Sequence, residues 1–352
     1  MKSLLSQFVV ILSLIVTNTF AQTNQERAFQ IGEQGIALLD KGEIEEAIEM
    51  FQQAAVLDPE NIMYPYETAY GHYLTRHYKK AIHILEKLVE HKDVNEKVFQ
   101  LLGNSYDNIG NYKKAIEAYQ KGLELHPNSG DIYMELGTVE MHKKNFNKAL
   151  EYFEKGIEVE PDYPTNYYWA SKISCSTSDV VWGIMYGEIY INLLPGSERA
   201  GEISRMLFDV YKKNIDPEKD TVHIVFANVS PDEVSFEKHF EDVINESLPK
   251  QLRSDLTLAD VVKIRSAFVE HWIKNAYNHR YPNVMFDHHK SIYYSGHLEA
   301  YNYWLFSGGD SDDFFEWKKK NEKKLDSFLK WREINAPVLT TDNFFVKKHY
   351  HR

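Results

Sequence analysis

A step of 34 residues recurs through the first half of this sequence, and it narrows the possible folds more than any other feature. Ala47, Ala81, Ala115 and Ala149 lie one step apart, and Gly183 continues them. Gly35, Ala69, Gly103, Gly137 and Ser171 keep the same step, as do Pro59, Asp93, Pro127, Pro161 and Pro195. Phe51, Leu85, Tyr119 and Phe153 form a fourth series. Each unit reads as two antiparallel helices, A and B. The small residues let the pair approach closely, and the aromatic or Leu fills the space between them. Pro ends helix B because it lacks an N–H and clashes with the preceding turn. Lys41-Gly42-Glu43, Gly110-Asn111-Tyr112 and Lys144-Asn145-Phe146 read as the turns between helices.

The pattern resembles the tetratricopeptide repeat. The units are 28–61, 62–95, 96–129, 130–163 and a degenerate 164–197. The third fits best, with Leu102-Gly103, Tyr106, Ala115, Tyr119 and Pro127 in the family's positions. The second has Asp93 in place of Pro, and the fifth has Gly187 in place of an aromatic. The resemblance implies a mainly α fold, a right-handed superhelical solenoid of antiparallel helix pairs. Such a stack needs a polar cap, because each unit buries its face only on a neighbour. Glu198 to Asn214 suits that role, with Ile203, Met206, Leu207 and Val210 on one face and charges on the other.

Ahead of the repeats, residues 1–21 read as a secretory signal peptide. Lys2 supplies a positive start, and Phe8 to Val16 is an apolar core too short to span a bilayer. Thr19 and Ala21 then place small residues before a cleavage site at Gln22. No later run reaches the roughly 18 apolar residues of a membrane span. The expected location is the periplasm or the external medium. The single Cys, Cys175, cannot form an internal disulfide or a thiolate metal site. A net charge of −12 argues against nucleic acid as a partner.

The remainder, 215–352, reads as mostly helical with one or two short strands. Thr221 to Ala227 is the best strand and Glu233 to Phe236 a weaker one. Helices are expected near 237–247, 257–277, 285–307 with a break at Gly296, and 310–332, the last opened by Ser311, Asp312 and Asp313 as cap and first-turn acids. The final twenty residues read as a loosely held, partly basic end. The stretch from Tyr281 to Leu305 resembles the tail behind repeat arrays in exported Bacteroidetes-type proteins, which implies no chemistry.

No nucleophile elbow, zinc-protease helix, phosphate loop or dinucleotide fingerprint occurs, so no cofactor and no enzymatic activity are expected. Asp287, His288, His289 and His297 form the densest group of candidate ligands, and a metal-dependent or enzymatic factor built on them is the alternative reading.

In the repeat family, the A helices line a concave groove that binds protein. Carried onto this sequence, the groove positions include Glu33, Asp40, Glu67, Lys97, Asp107, Asp131, Met141, Tyr168 and Lys172, and two patterns stand out among the rest. Gln100, Asn104 and Asn108 are spaced i, i+4, i+8, which stacks them up one helix face. A side-chain amide can pair with a peptide backbone as both donor and acceptor. Tyr66, Tyr70 and Tyr73 form an aromatic shelf of the kind enriched at interfaces. Glu135 and His142 complete the candidate peptide-binding set. Residues 22–197 hold 27 acids and 16 bases, whereas 198–352 hold 25 and 23, so the acidity belongs to the repeats. The expected partner is a protein segment, extended and neutral to basic, held more weakly as salt rises.

Overall fold

The 34-residue step becomes helix pairs through three local devices. The first is the close approach. A Cβ placed on Gly35 would lie 2.7 Å from the ring of Phe51, on Gly103 2.3 Å from Tyr119, and on Gly137 2.4 Å from Phe153. Only glycine lets the aromatic of helix B lie directly on helix A. The second is the turn. Gly42, Arg76, Gly110 and Lys144 all have φ between 59° and 79°, the left-handed region, and they too are one period apart. This series is one of conformation rather than residue type, and at Arg76 and Lys144 it costs about 1–2 kcal/mol each. The third is the stop: Pro59, Pro127, Pro161 and Pro195 each lie two residues past the end of a B helix.

The structure is a computed structural model that describes residues 23–216, 223–224, 226, 234–250, 252 and 255–350. The signal-peptide segment 1–21 lies outside them. Two compact units divide the chain after Leu125. The first holds the helix pairs α1 (Asn24–Lys41) and α2 (Ile44–Leu57), α3 (Met63–Leu74) and α4 (Tyr78–Leu88), α5 (Glu96–Asn108) and α6 (Tyr112–Leu125). Thr23 and Glu26 cap α1 reciprocally, and Asn95 caps α5.

The second unit begins with α7 (Gly130–His142) and α8 (Phe146–Val159), then α9 (Pro164–Cys175) and α10 (Val180–Leu193). Next come α11 (Glu198–Asn214), β1 (Ile215–Asp216) and β2 (His223–Ile224), paired antiparallel. It continues with α12 (Phe236–Glu246), α13 (Leu258–Lys274), α14 (Tyr277–Arg280), α15 (Val284–Tyr294), α16 (Leu298–Leu305) and α17 (Ser311–Asn335), and closes with a 3-10 turn at Lys347–His349. One buried core runs from Ala149 to Val346. The fold is mainly α, with stacked antiparallel helix pairs of the tetratricopeptide type. No described helix is long and apolar enough to cross a membrane.

The degenerate fifth pair is closed by small residues. Ser171 Oγ donates to the Gly183 carbonyl at 2.7 Å, and a Cβ on Gly187 would lie 2.7 Å from that same Oγ. Its helix α10 is buried from Val180 to Asn192, because the following region packs over the side a repeat B helix would show to water.

Three expectations for that region need correction, and a fourth falls mostly on residues that are not described. Most of the strand Thr221–Ala227 lies outside the described residues, and the described pairing is two residues long. The weaker candidate, Glu233–Phe236, runs into the first turn of α12, where Ser235 Oγ accepts from the Lys238 amide at 3.2 Å. The last helix is capped by Asp310, one residue earlier than expected, through the Asp313 amide at 3.0 Å. The chain end is also not loose. Phe345 and Val346 are fully buried, Phe345 packs on Trp182 and Tyr186, and the Lys347 amide donates to Tyr186 Oη at 3.0 Å.

Candidate functional site

In the first unit, α3 and α5 bring the aromatic shelf and the amide row together. Tyr66, Tyr70 and Tyr73 lie along α3, each partly buried. Tyr73 meets Tyr78 edge-on at 5.5 Å. Burial pushes the Tyr66 phenol up to about 12, with Glu67, Tyr70 and Glu96 adding to it. Gln100 and Asn104 on α5 are partly buried, and Asn108 is exposed. Asn108 Nδ2 donates to the Asn104 carbonyl at 2.8 Å and to Tyr73 Oη at 3.3 Å, which joins α5 to α3. Tyr119 Oη donates to Asn104 Oδ1 at 2.5 Å. Asn104 therefore supports its own helix pair. A backbone segment bonding there has to share the oxygen that Tyr119 already uses.

Glu135 and His142 lie seven residues apart on α7, so they share a helix face, but in the second unit. The same unit places Lys172, an expected groove base, in a closed set of partners. Lys172 Nζ pairs with Glu202 Oε1 at 2.6 Å, and Tyr168 Oη donates to Glu202 Oε2 at 2.8 Å. The Arg199 guanidinium sits 5.0 Å over the Tyr168 ring. Arg199 and Glu202 were missed in the sequence, although Glu202 follows Tyr168 by one full period. The repeat register thus carries on into α11.

The histidine group of the tail serves the core. Glu188, on α10, is fully buried. Its Oε1 accepts from His289 Nε2 at 2.6 Å and from Tyr301 Oη at 2.6 Å, and its Oε2 accepts from Arg265 Nη2. Asn192, one turn along α10, donates to Tyr301 Oη at 3.0 Å, and Arg332 Nη2 donates to the Asn192 carbonyl at 2.6 Å. Burial alone raises the Glu188 carboxyl, but Arg265 and His289 reverse that and hold it at about 2. A carboxylate accepts, so His289 Nε2 carries the proton and its buried Nδ1 is left bare. Burial keeps His289 neutral by lowering its pKa. His288 points elsewhere, stacked on Trp331 at 5.8 Å, and His297 lies 5.5 Å from the same ring. Among the described residues, no three His, Cys, Asp or Glu side chains gather as metal ligands. Glu188 was legible as the lone acid in the apolar run Val180–Leu193. Its partners come from 77 and 101 residues further along, beyond the reach of any local pattern.

Sequence models of one repeat family fall on these helix pairs. Models of the tetratricopeptide repeat family match residues 97–129 and residues 33–61 and 130–163. No curated protein matches the chain. Among solved structures, a crystal structure of MamA shares 22% identity over 45% of this chain and 93% of that one, with a TM-score of 0.40. The pilF protein of Pseudomonas aeruginosa shares 18% over 54% and 85%, at 0.48. YrrB, described as a TPR protein with an unusual peptide-binding site, shares 20% over 49% and 89%, at 0.37. With the helix pairs, their glycine contacts and their turn conformations in the same register, the chain is a tetratricopeptide repeat protein across residues 33–61 and 97–163.

Proposed function

We propose that this chain is an exported, non-enzymatic interaction module, a scaffold whose A helices hold an extended, neutral-to-basic segment of a partner protein. The bridge from Asn108 to Tyr73 carries the reading, because it makes the amide row and the tyrosine shelf one continuous polar and aromatic face in the first unit. Such a face pairs with backbone through amides and with side chains through rings. The surplus of acids over bases in residues 22–197 favours a partner without net negative charge. Export, to the periplasm or the medium of a Bacteroidetes-type bacterium, rests on residues 1–21 and the resemblance of the tail. The mass of the chain recovered from its native host tests it, with a start at Gln22 expected and an intact Met1 the result that would refute it.

Asn108→Ala tests the face. The side chain is exposed and its bonds to Tyr73 and Asn104 are open to water, so the melting temperature should fall by no more than about 2 °C. Retention of the partner captured from the native envelope should fall about five- to tenfold, the effect of losing one or two interfacial hydrogen bonds. Equal retention by Asn108→Ala and the parent chain would refute the assignment.

A further inference from the structure

We propose that the cleft between the first turns of α3 and α5 is a pocket for the side chain of a Lys or Arg in the partner segment. The cleft holds about 300 Å³, more than one long side chain needs. Ile62, Met63 and Val98 supply apolar wall, Tyr66 an aromatic ring and Glu67 a carboxylate. That combination suits a side chain with an apolar stem and a cationic head.

The charges point the same way. Glu67 is partly buried and makes no hydrogen bond or ion pair among the described residues. Burial raises its carboxyl pKa even though Lys97 pulls the other way. A partly desolvated carboxylate with no hydrogen-bonded partner gains more from an incoming cation than a solvated one does. Glu96, in the first turn of α5, adds a second negative charge that is felt at the Tyr66 hydroxyl. An anion finds less. The amides of Lys97 and Val98 at the start of α5 are already taken by Asn95 Oδ1, at 3.1 and 3.4 Å. Lys97 is exposed, and its charge opposes that of an incoming cation.

This pocket rests on the proposed reading of the inner face as a partner-binding surface, but its test needs no partner. The full chain, labelled at Met, Ile and Val methyls, is titrated with N-acetyl-lysine methylamide and with its norleucine and glutamate analogues. The lysine probe should shift the Met63 and Val98 methyls saturably and bind about fivefold tighter than norleucine. Glu67→Gln should abolish that preference, and Lys97→Met should strengthen lysine binding about twofold or more, both with unchanged thermal melts. The pocket is overturned by equal binding of norleucine, by tighter binding of the glutamate probe, by a lysine preference that survives Glu67→Gln, or by no saturable shift. Failure of the wider reading looks different: Asn108→Ala leaves partner retention unchanged while the lysine probe still binds.

Discussion

Arg265→Met should destabilise the second unit by about 3–5 kcal/mol, the cost of stranding a buried charge. Glu188 would keep its full desolvation and lose its strongest compensating charge. The remaining donors, His289 Nε2 and Tyr301 Oη, are neutral and hold one oxygen only. Ionised Glu188 would then sit in a core with no cation against it, and its carboxyl pKa should climb. The loss is not one of bulk, since Met fills much of the volume of an Arg stem. A second variant separates the two causes. Glu188→Gln with Arg265→Met removes both charges and should recover part of the loss, because a neutral pair costs far less to bury than one stranded ion. Denaturant melts followed by the near-ultraviolet signal of the second unit's tryptophans measure both. A loss under about 1 kcal/mol in the single variant, or a double variant no better than the single, would show that the network does not hold this core together.

The same network shows what the sequence could and could not convey. The repeats were legible because their determinants are local and periodic. Gly103 and Tyr119 lie sixteen residues apart in one helix pair and recur at fixed spacing as Gly137 and Phe153. The tail helices were legible for the same reason, down to the break at Gly296, where φ is +75°. What stayed hidden was every feature that depends on distant chain. Nothing near Phe345 announces that it inserts against Trp182, more than 160 residues away. Asp287, His288, His289 and His297 were the candidate ligands of the alternative reading because they form the densest group of ligand types in the sequence. The helix turns His288 and His289 about 100° apart. One therefore faces Glu188 and the other Trp331. Of the candidate groove, Asn108 and Tyr73 came from the family's groove positions, as ends of the amide row and the tyrosine shelf, and the helices do bring them together. The bond from Tyr119 to Asn104 was hidden because it runs from a core aromatic to a groove position.

Acid should begin to weaken the second unit well above the pH at which its carboxylates titrate, and His288 is the main reason. Burial lowers its pKa from 6.5 to about 3, with His289 and Arg332 adding to the effect. Its Nε2 is buried without a partner, so nothing there welcomes a second proton. Between those two values the unfolded chain binds a proton that the folded chain refuses. Stability therefore falls as pH falls, by about 1.4 kcal/mol per pH unit at the full slope, or about 3 kcal/mol between pH 6.5 and 4. His289 acts in the same direction, since burial lowers its pKa too. Glu188 extends the window downward. Its folded value of about 2 lies below its ordinary 4.5, so its contribution is complete above 4.5 and is lost as pH falls towards 2. The stability curve should start to drop near pH 6.5 and steepen below 4.5. His288→Phe keeps an aromatic ring against Trp331 and removes the proton site. It should flatten the upper part of the curve, leaving the share of His289, and leave the steep part below 4.5 in place. If denaturant midpoints for the parent chain are level from pH 7 to 5, or if His288→Phe tracks the parent through that range, the imidazole is not buried in the neutral form that its surroundings demand.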